Sequence, residues 1–104
     1  MSKINIPWAK PSIGHEELNE VVDSFEANWL TMGPKVSKFE KKMAAFLKVP
    51  HAIAVSNGTV ALDIVLKTIG IRPGDEVIVP SMTYFATASA VSYQNAIPVF
   101  ADIE

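Results

Sequence analysis

Ser56-Asn57-Gly58-Thr59 is the stretch of this chain best suited to chemistry, and the chemistry is anion binding. It lies between the apolar run Ala52-Ile53-Ala54-Val55 and the periodic run Val60 to Ile69, a pattern that predicts strand, tight turn, helix. The first amides of a helix have no partner within it, and the helix dipole leaves partial positive charge there. A phosphate fits such a place. Gly58 has no Cβ to hold the anion away from the backbone. Ser56, Asn57 and Thr59 can each cap the helix or add a side-chain hydrogen bond to the same anion. A well-capped crossover helix with no ligand uses the same four residues, and one glycine is less specific than a nucleotide-binding fingerprint.

Other chemistry is sparse. The chain has no cysteine, hence no disulfide framework and no thiolate nucleophile. His15 and His51 are isolated, with no ligand spacing around either, so no metal site is expected. A net charge of -2 and a pI near 5.6 lack the basic stripe with which proteins neutralise nucleic-acid phosphates. No apolar run approaches the roughly 18 residues of a membrane span, and the N-terminus lacks signal-peptide regions. A soluble, cytoplasmic protein is expected, without nucleic-acid or membrane partners. At 104 residues and 49% hydrophobic, the chain can build a core.

The elements that must position the turn read off in order. Residues 1–13, with Pro7, Trp8 and Pro11, suggest an extended arm. From Gly14 to about Asn28, Leu18, Val21, Val22 and Phe25 recur at helical spacing, with Glu16 and Glu17 in the favourable first turn. Gly33-Pro34 reads as cap and first position of a second helix. Val36, Phe39, Met43, Phe46 and Leu47 form its apolar stripe, and Lys35, Lys38, Lys41 and Lys42 a solvated face. Val49-Pro50 ends it. After the central turn, Ala61, Leu62, Val65, Leu66 and Ile69 make an apolar face, and Asp63 and Lys67 an exposed i,i+4 pair worth roughly 0.3 to 0.5 kcal/mol. Gly70 suits the left-handed residue that ends this helix, with Ile71 folding back on it.

Arg72-Pro73-Gly74-Asp75 is a turn into strand Glu76 to Val79. A helix from about Thr83 to Tyr93 follows, rich in small residues (Ala86, Ala88, Ser89, Ala90, Ser92). Pro98 to Ala101 begins a third strand. Strand, helix, strand, helix, strand with all-apolar strands is the mark of a parallel α/β sheet covered on both faces. Right-handed crossovers then set the turns after Val55, Val79 and Ala101 along one edge, where ligands bind in such sheets. Three strands are few for this architecture, so the chain is expected to be cut short.

Taken together, several stretches resemble the N-terminal part of the sugar-nucleotide aminotransferases of the DegT/StrS type, in the pyridoxal-phosphate (PLP) fold type I superfamily. They are residues 28–36 (Asn28-Trp29-Leu30-Thr31-Met32-Gly33-Pro34-Lys35-Val36), Phe39-Glu40, residues 54–62 around Ser56-Asn57-Gly58-Thr59, residues 70–84 from Gly70 to Tyr84, and residues 96–103 from Ala96 to Ile103. The resemblance implies an incomplete large domain over residues 14–104. It makes Gly58 and Thr59, beside Asn57, the holders of the PLP phosphate, and Tyr84 the aromatic that lies over the pyridine ring. Without it, Tyr84 reads as a core residue at a helix start. More weakly, it puts Thr31, Gly33 and Pro34 on the substrate side of a site completed by the second subunit of a homodimer.

The implied reaction moves an amino group, from glutamate, onto a nucleotide-linked keto sugar. The family's Schiff-base lysine and pyridine-nitrogen aspartate lie downstream of the stretches matched here, so no catalytic residue is assigned and this chain alone is expected to be inactive. Asp102 reads as a turn residue. The rival reading is a non-catalytic phosphate-binding or interaction module, truncated or degenerate.

Overall fold

The computed structural model describes residues 6–7 and 9–102. Residues 1–5 and Trp8 of the proposed arm lie outside the described residues, and residues 6–7 and 9–13 form no helix or strand. The chain divides into two compact units, Met1–Ala52 and Ile53–Glu104.

The first unit holds two helices, α1 (His15–Glu26) and α2 (Pro34–Leu47). Gly14 caps α1, and its amide donates to Glu17 Oε2 at 2.7 Å. That bond holds the Glu17 carboxyl below its ordinary pKa. Gly33 caps α2 with Pro34 in the first turn, as the Gly-Pro pair predicts, and Lys48 at φ 55° closes it in the left-handed conformation. Lys35 departs from the expected solvated lysine face. Its Nζ reaches across to α1, donating to the Glu20 backbone oxygen and to Glu20 Oε2, 2.6 Å away, with Asp23 Oδ2 at 3.8 Å. Hydrogen bonding from Lys35, then the attraction of Lys35 and Lys38, holds the Glu20 carboxyl below its ordinary pKa. No described residue of either helix is buried, so the expected stripe of α2 is half-covered at Val36 and Met43 and exposed at Phe39, Phe46 and Leu47.

The second unit runs α3 (Gly58–Thr68), β1 (Glu76–Pro80), α4 (Ala86–Tyr93), β2 (Ile97–Ala101). β1 and β2 pair in parallel, with Ile78 opposite Val99 and Val79 opposite Phe100. This is the expected α/β class, two helices and then parallel strands joined by helices, with one strand fewer. Residues 52–55 form no strand, and the sheet among the described residues consists of β1 and β2. Apolar composition alone does not make a strand; a ladder partner does.

Gly70 at φ 88° ends α3, and Ile71 donates back to Leu66, so the predicted reversal is formed. In the following turn Asp75 donates to the Arg72 oxygen while its carboxylate accepts from the Arg72 amide at 2.7 Å. Pro73 and Gly74, at φ 88°, occupy the central positions that a type II turn assigns them.

The core is small. Val79, Ala86, Ala90, Val91 and Ala96 are buried, with Leu66, Ile71 and Val77 packed against them. α4 lies on the face of β1 that carries Val77 and Val79, and its small residues allow the close approach expected of them. The opposite face, which carries Ile78 and its ladder neighbour Val99, has no helix of this unit on it, and Ile78 is 75% exposed. The sheet is therefore covered on one face, where the sequence predicts two.

Candidate functional site

The turn ahead of α3 is built by its cap. Asn57 has extended backbone, and its side-chain Oδ1 accepts from the Val60 amide at 2.9 Å. Of the three residues able to cap, the structure selects Asn57; its Nδ2 donates to Ser56 Oγ at 3.4 Å. The helix then begins two residues earlier than the apolar periodicity predicts, at Gly58. Asn57 occupies the third amide of α3, and the amides of the first two positions, Gly58 and Thr59, hold no hydrogen bond to described residues. A Cβ built on Gly58 meets nothing within 4 Å, so the space beside it is open.

Tyr84 comes from the segment between β1 and α4. α4 starts at Ala86 and not at Thr83, so Tyr84 stands in the connecting loop, 70% exposed, and not at a helix start in a core. The Thr83 and Thr87 hydroxyls bond to each other at 3.1 Å across this loop, and Thr87 donates its amide to the Tyr84 oxygen at 3.0 Å. The Tyr84 ring rests against Phe85, centroids 4.7 Å apart and tilted by 49°.

Asn57, Gly58, Thr59 and Tyr84 line one cavity of about 800 Å³, together with Ala61, Leu62, Val65, Ala86 and Thr87. None of these side chains carries a formal charge, so attraction for an anion comes from the helix dipole and the spare amides. One end offers amides and a hydroxyl, the other an aromatic face, with an apolar wall between. Sequence reading missed Thr87; its spacing from Thr83 and Tyr84 is the signal that was there to find.

A second cleft, of about 480 Å³, belongs to the first unit and is lined by Val21, Phe25, Trp29, Leu30, Thr31, Gly33, Pro34 and neighbours. Thr31, Gly33 and Pro34 thus meet at one place, and Gly33 has a steric reason to be glycine. A Cβ there would lie 2.2 Å from Trp29 Nε1, which donates to the Met32 oxygen at 3.0 Å.

Among the described residues, no helix is long and apolar enough to cross a membrane.

Compared with known proteins, the chain is 48% identical over 99 residues to the spore coat polysaccharide biosynthesis protein SpsC of Bacillus subtilis, covering 95% of this chain and 25% of that one. It is 36% identical over 104 residues to the UDP-4-amino-4-deoxy-L-arabinose–oxoglutarate aminotransferase of Shewanella sediminis, covering all of this chain and 27% of that one. The fold superposes on a Streptococcus pneumoniae protein named as a sugar aminotransferase, solved in its PLP-form, with a TM-score of 0.87 and 39% identity over 97% of this chain and 26% of that chain. The chain thus spans about a quarter of the length of the curated relatives it matches. The model of the DegT/DnrJ/EryC1/StrS aminotransferase family matches residues 11–104, and the chain belongs to that family.

Proposed function

We propose that these residues form the cofactor-phosphate side of a PLP-dependent aminotransferase that transfers an amino group, from glutamate, to a nucleotide-linked keto sugar. The observation that carries this reading is the meeting of Asn57, Gly58, Thr59 and Tyr84, from two separate segments, around one cavity. The residues fit the group: two amides without a protein acceptor and open space beside Gly58 suit a phosphate, and an exposed ring across an apolar wall suits a flat heterocycle.

When bound, PLP supplies an electron-poor ring that draws electron density from the carbon bearing the amino group. The Gly58 and Thr59 amides and the Thr59 hydroxyl hold the phosphate; Tyr84 covers one ring face, fixing its plane and excluding water from it. Asn57 acts on the cofactor indirectly, by ordering the first turn of α3. Thr31, Gly33 and Pro34 shape the substrate side, in a cytoplasmic homodimer. Lys67, in the last turn of α3, does not line the cavity and takes no part in this reading.

The test compares PLP with pyridoxal, which lacks the phosphate, as ligands of a complete aminotransferase polypeptide carrying these residues. Tight binding of PLP with much weaker binding of pyridoxal is expected. Equal binding of the two would remove the phosphate from the assignment.

A further inference from the structure

We infer that the hydrogen bond from Gln94 to Asp63 sets the axial register of α4 against α3, and through it the spacing between the phosphate-side amides and the Tyr84 ring. The inference rests on the cofactor reading above. Gln94 caps the C-terminal end of α4, the end away from Tyr84, and its Nε2 donates to Asp63 Oδ1, midway along α3. The bond is partly buried and joins residues 31 apart in sequence. Among the described residues it is the side-chain hydrogen bond linking the two helices, and it replaces the Asp63–Lys67 pair the sequence predicts.

Axial register needs such a bond here because the apposed surface is smooth. α4 buries Ala86, Ala90 and Val91; Val91 belongs to the cluster with Val79 and Ala96 that Leu66 packs against, and the other small residues of α4, Ala88, Ser89 and Ser92, offer no large side chain to lodge in a groove of α3. Helix packing resists sliding when ridges of one helix seat in grooves of the other, and alanine and serine make shallow ridges. Apolar burial then fixes how far apart the helices lie and leaves their relative shift weakly determined. A shift of one residue moves a helix by about 1.5 Å along its axis. Gly58 and Thr59 ride on α3, while Tyr84 is tied to α4 through Thr87. A slide therefore changes the distance between the two ends of the cavity without removing either end. Asp63 and Gln94 are positioning residues; neither lines the cavity.

The experiment uses the complete aminotransferase polypeptide and reads three quantities for each variant: dissociation of PLP, dissociation of inorganic phosphate, and thermal stability. Gln94→Glu sets two carboxylates against each other; Gln94→Leu removes the bond without adding charge. Asp63→Asn combined with Gln94→Glu reverses donor and acceptor and restores the bond. The expected result for both single variants is PLP binding weaker by about tenfold, the scale of one hydrogen bond to a charged group, with inorganic phosphate unchanged because it touches one end only. The double variant should return PLP affinity to within about twofold of wild type. PLP and phosphate weakening together, PLP affinity unmoved in Gln94→Leu, or no rescue in the double variant would each overturn the register role. Thr59→Val, measured alongside, weakens both ligands if the phosphate site is right; if it weakens neither, the cofactor reading itself has failed, whatever the Gln94 variants show.

Discussion

Asn57 Oδ1 and the Val60 amide, 2.9 Å apart, decide which donors the turn has to spare. The cap occupies the third amide of α3, and those of Gly58 and Thr59 are left for a ligand. Asn57→Asp separates the structural and ligand roles. Aspartate caps as well as asparagine and its charge suits the helix N-terminus, so thermal stability should hold or rise. The same charge stands beside the bound phosphate. At an effective dielectric near 20 and a separation of about 6 Å, the repulsion corresponds to a roughly tenfold to hundredfold loss of PLP affinity. Added salt should recover part of it. Unchanged PLP affinity in this variant would mean that no anion binds here.

The Trp29 indole lies where a Gly33 side chain would go, 2.2 Å from the position of a Cβ. Gly33→Ala must rotate the ring and break the bond from Trp29 Nε1 to the Met32 oxygen. A cost of about 1 kcal/mol is expected from that hydrogen bond alone. The variant Gly33→Ala in a Trp29→Ala background should lose little beyond Trp29→Ala by itself, because the clash has gone. Additive losses in denaturant melts would show that Gly33 is required for its backbone and not for the ring.

The Glu20–Lys35 contact predicts a pH dependence with a definite sign. Lys35 holds the folded-state pKa of Glu20 below its ordinary value, so the unfolded chain binds the proton more readily. The stabilisation is complete above the ordinary glutamate value of about 4.3 and is lost as pH falls through the lower folded value. Glu20 is fully exposed, which keeps the effect small and sensitive to salt. Lys35→Met should flatten the acid limb of the stability curve relative to wild type. An identical acid limb in the two proteins would assign it to other carboxylates, Glu17 first.

What the sequence made legible follows from the range of each signal. Local signals held: Gly33-Pro34 opens α2, Gly70 closes α3, and Arg72 to Asp75 turns the chain. The candidate site residues Asn57, Gly58, Thr59 and Tyr84 follow from local pattern and resemblance, and they line one cavity. Signals that depend on partners distant in sequence failed. The run 52–55 reads as a strand, yet the sheet among the described residues is built of β1 and β2 alone, and which runs join a sheet is decided across the chain and not within a run. Asp63 and Lys67 match a helical ion-pair spacing, yet Asp63 accepts from Gln94, which no pattern within α3 could announce. Lys35 belongs by spacing with three solvated lysines, yet its ammonium bonds Glu20 of α1, a partner that no pattern within α2 could announce.

The last prediction sets the ligand reading of α3 against the bland one, a capped helix with nothing bound. Because a Cβ on Gly58 meets nothing within 4 Å, Gly58→Ala should fold without strain and gain about 0.4 to 1 kcal/mol of stability through the unfolded chain. In the ligand reading that same Cβ enters the space the phosphate needs, so PLP affinity should fall while stability rises. Thr59→Val removes one hydrogen bond to a charged group, roughly 1.5 to 3 kcal/mol, or about a tenfold to hundredfold loss of affinity. Tyr84→Ala should weaken PLP and leave inorganic phosphate alone, since the exposed ring contributes to one end of the cavity only. A capped helix without a ligand predicts instead that all three variants bind PLP as the wild type does and differ in stability alone. Dissociation constants and melting temperatures measured on the same preparations separate the two. Opposite movement of stability and affinity in Gly58→Ala is the decisive signature, because a general loss of folding cannot produce it.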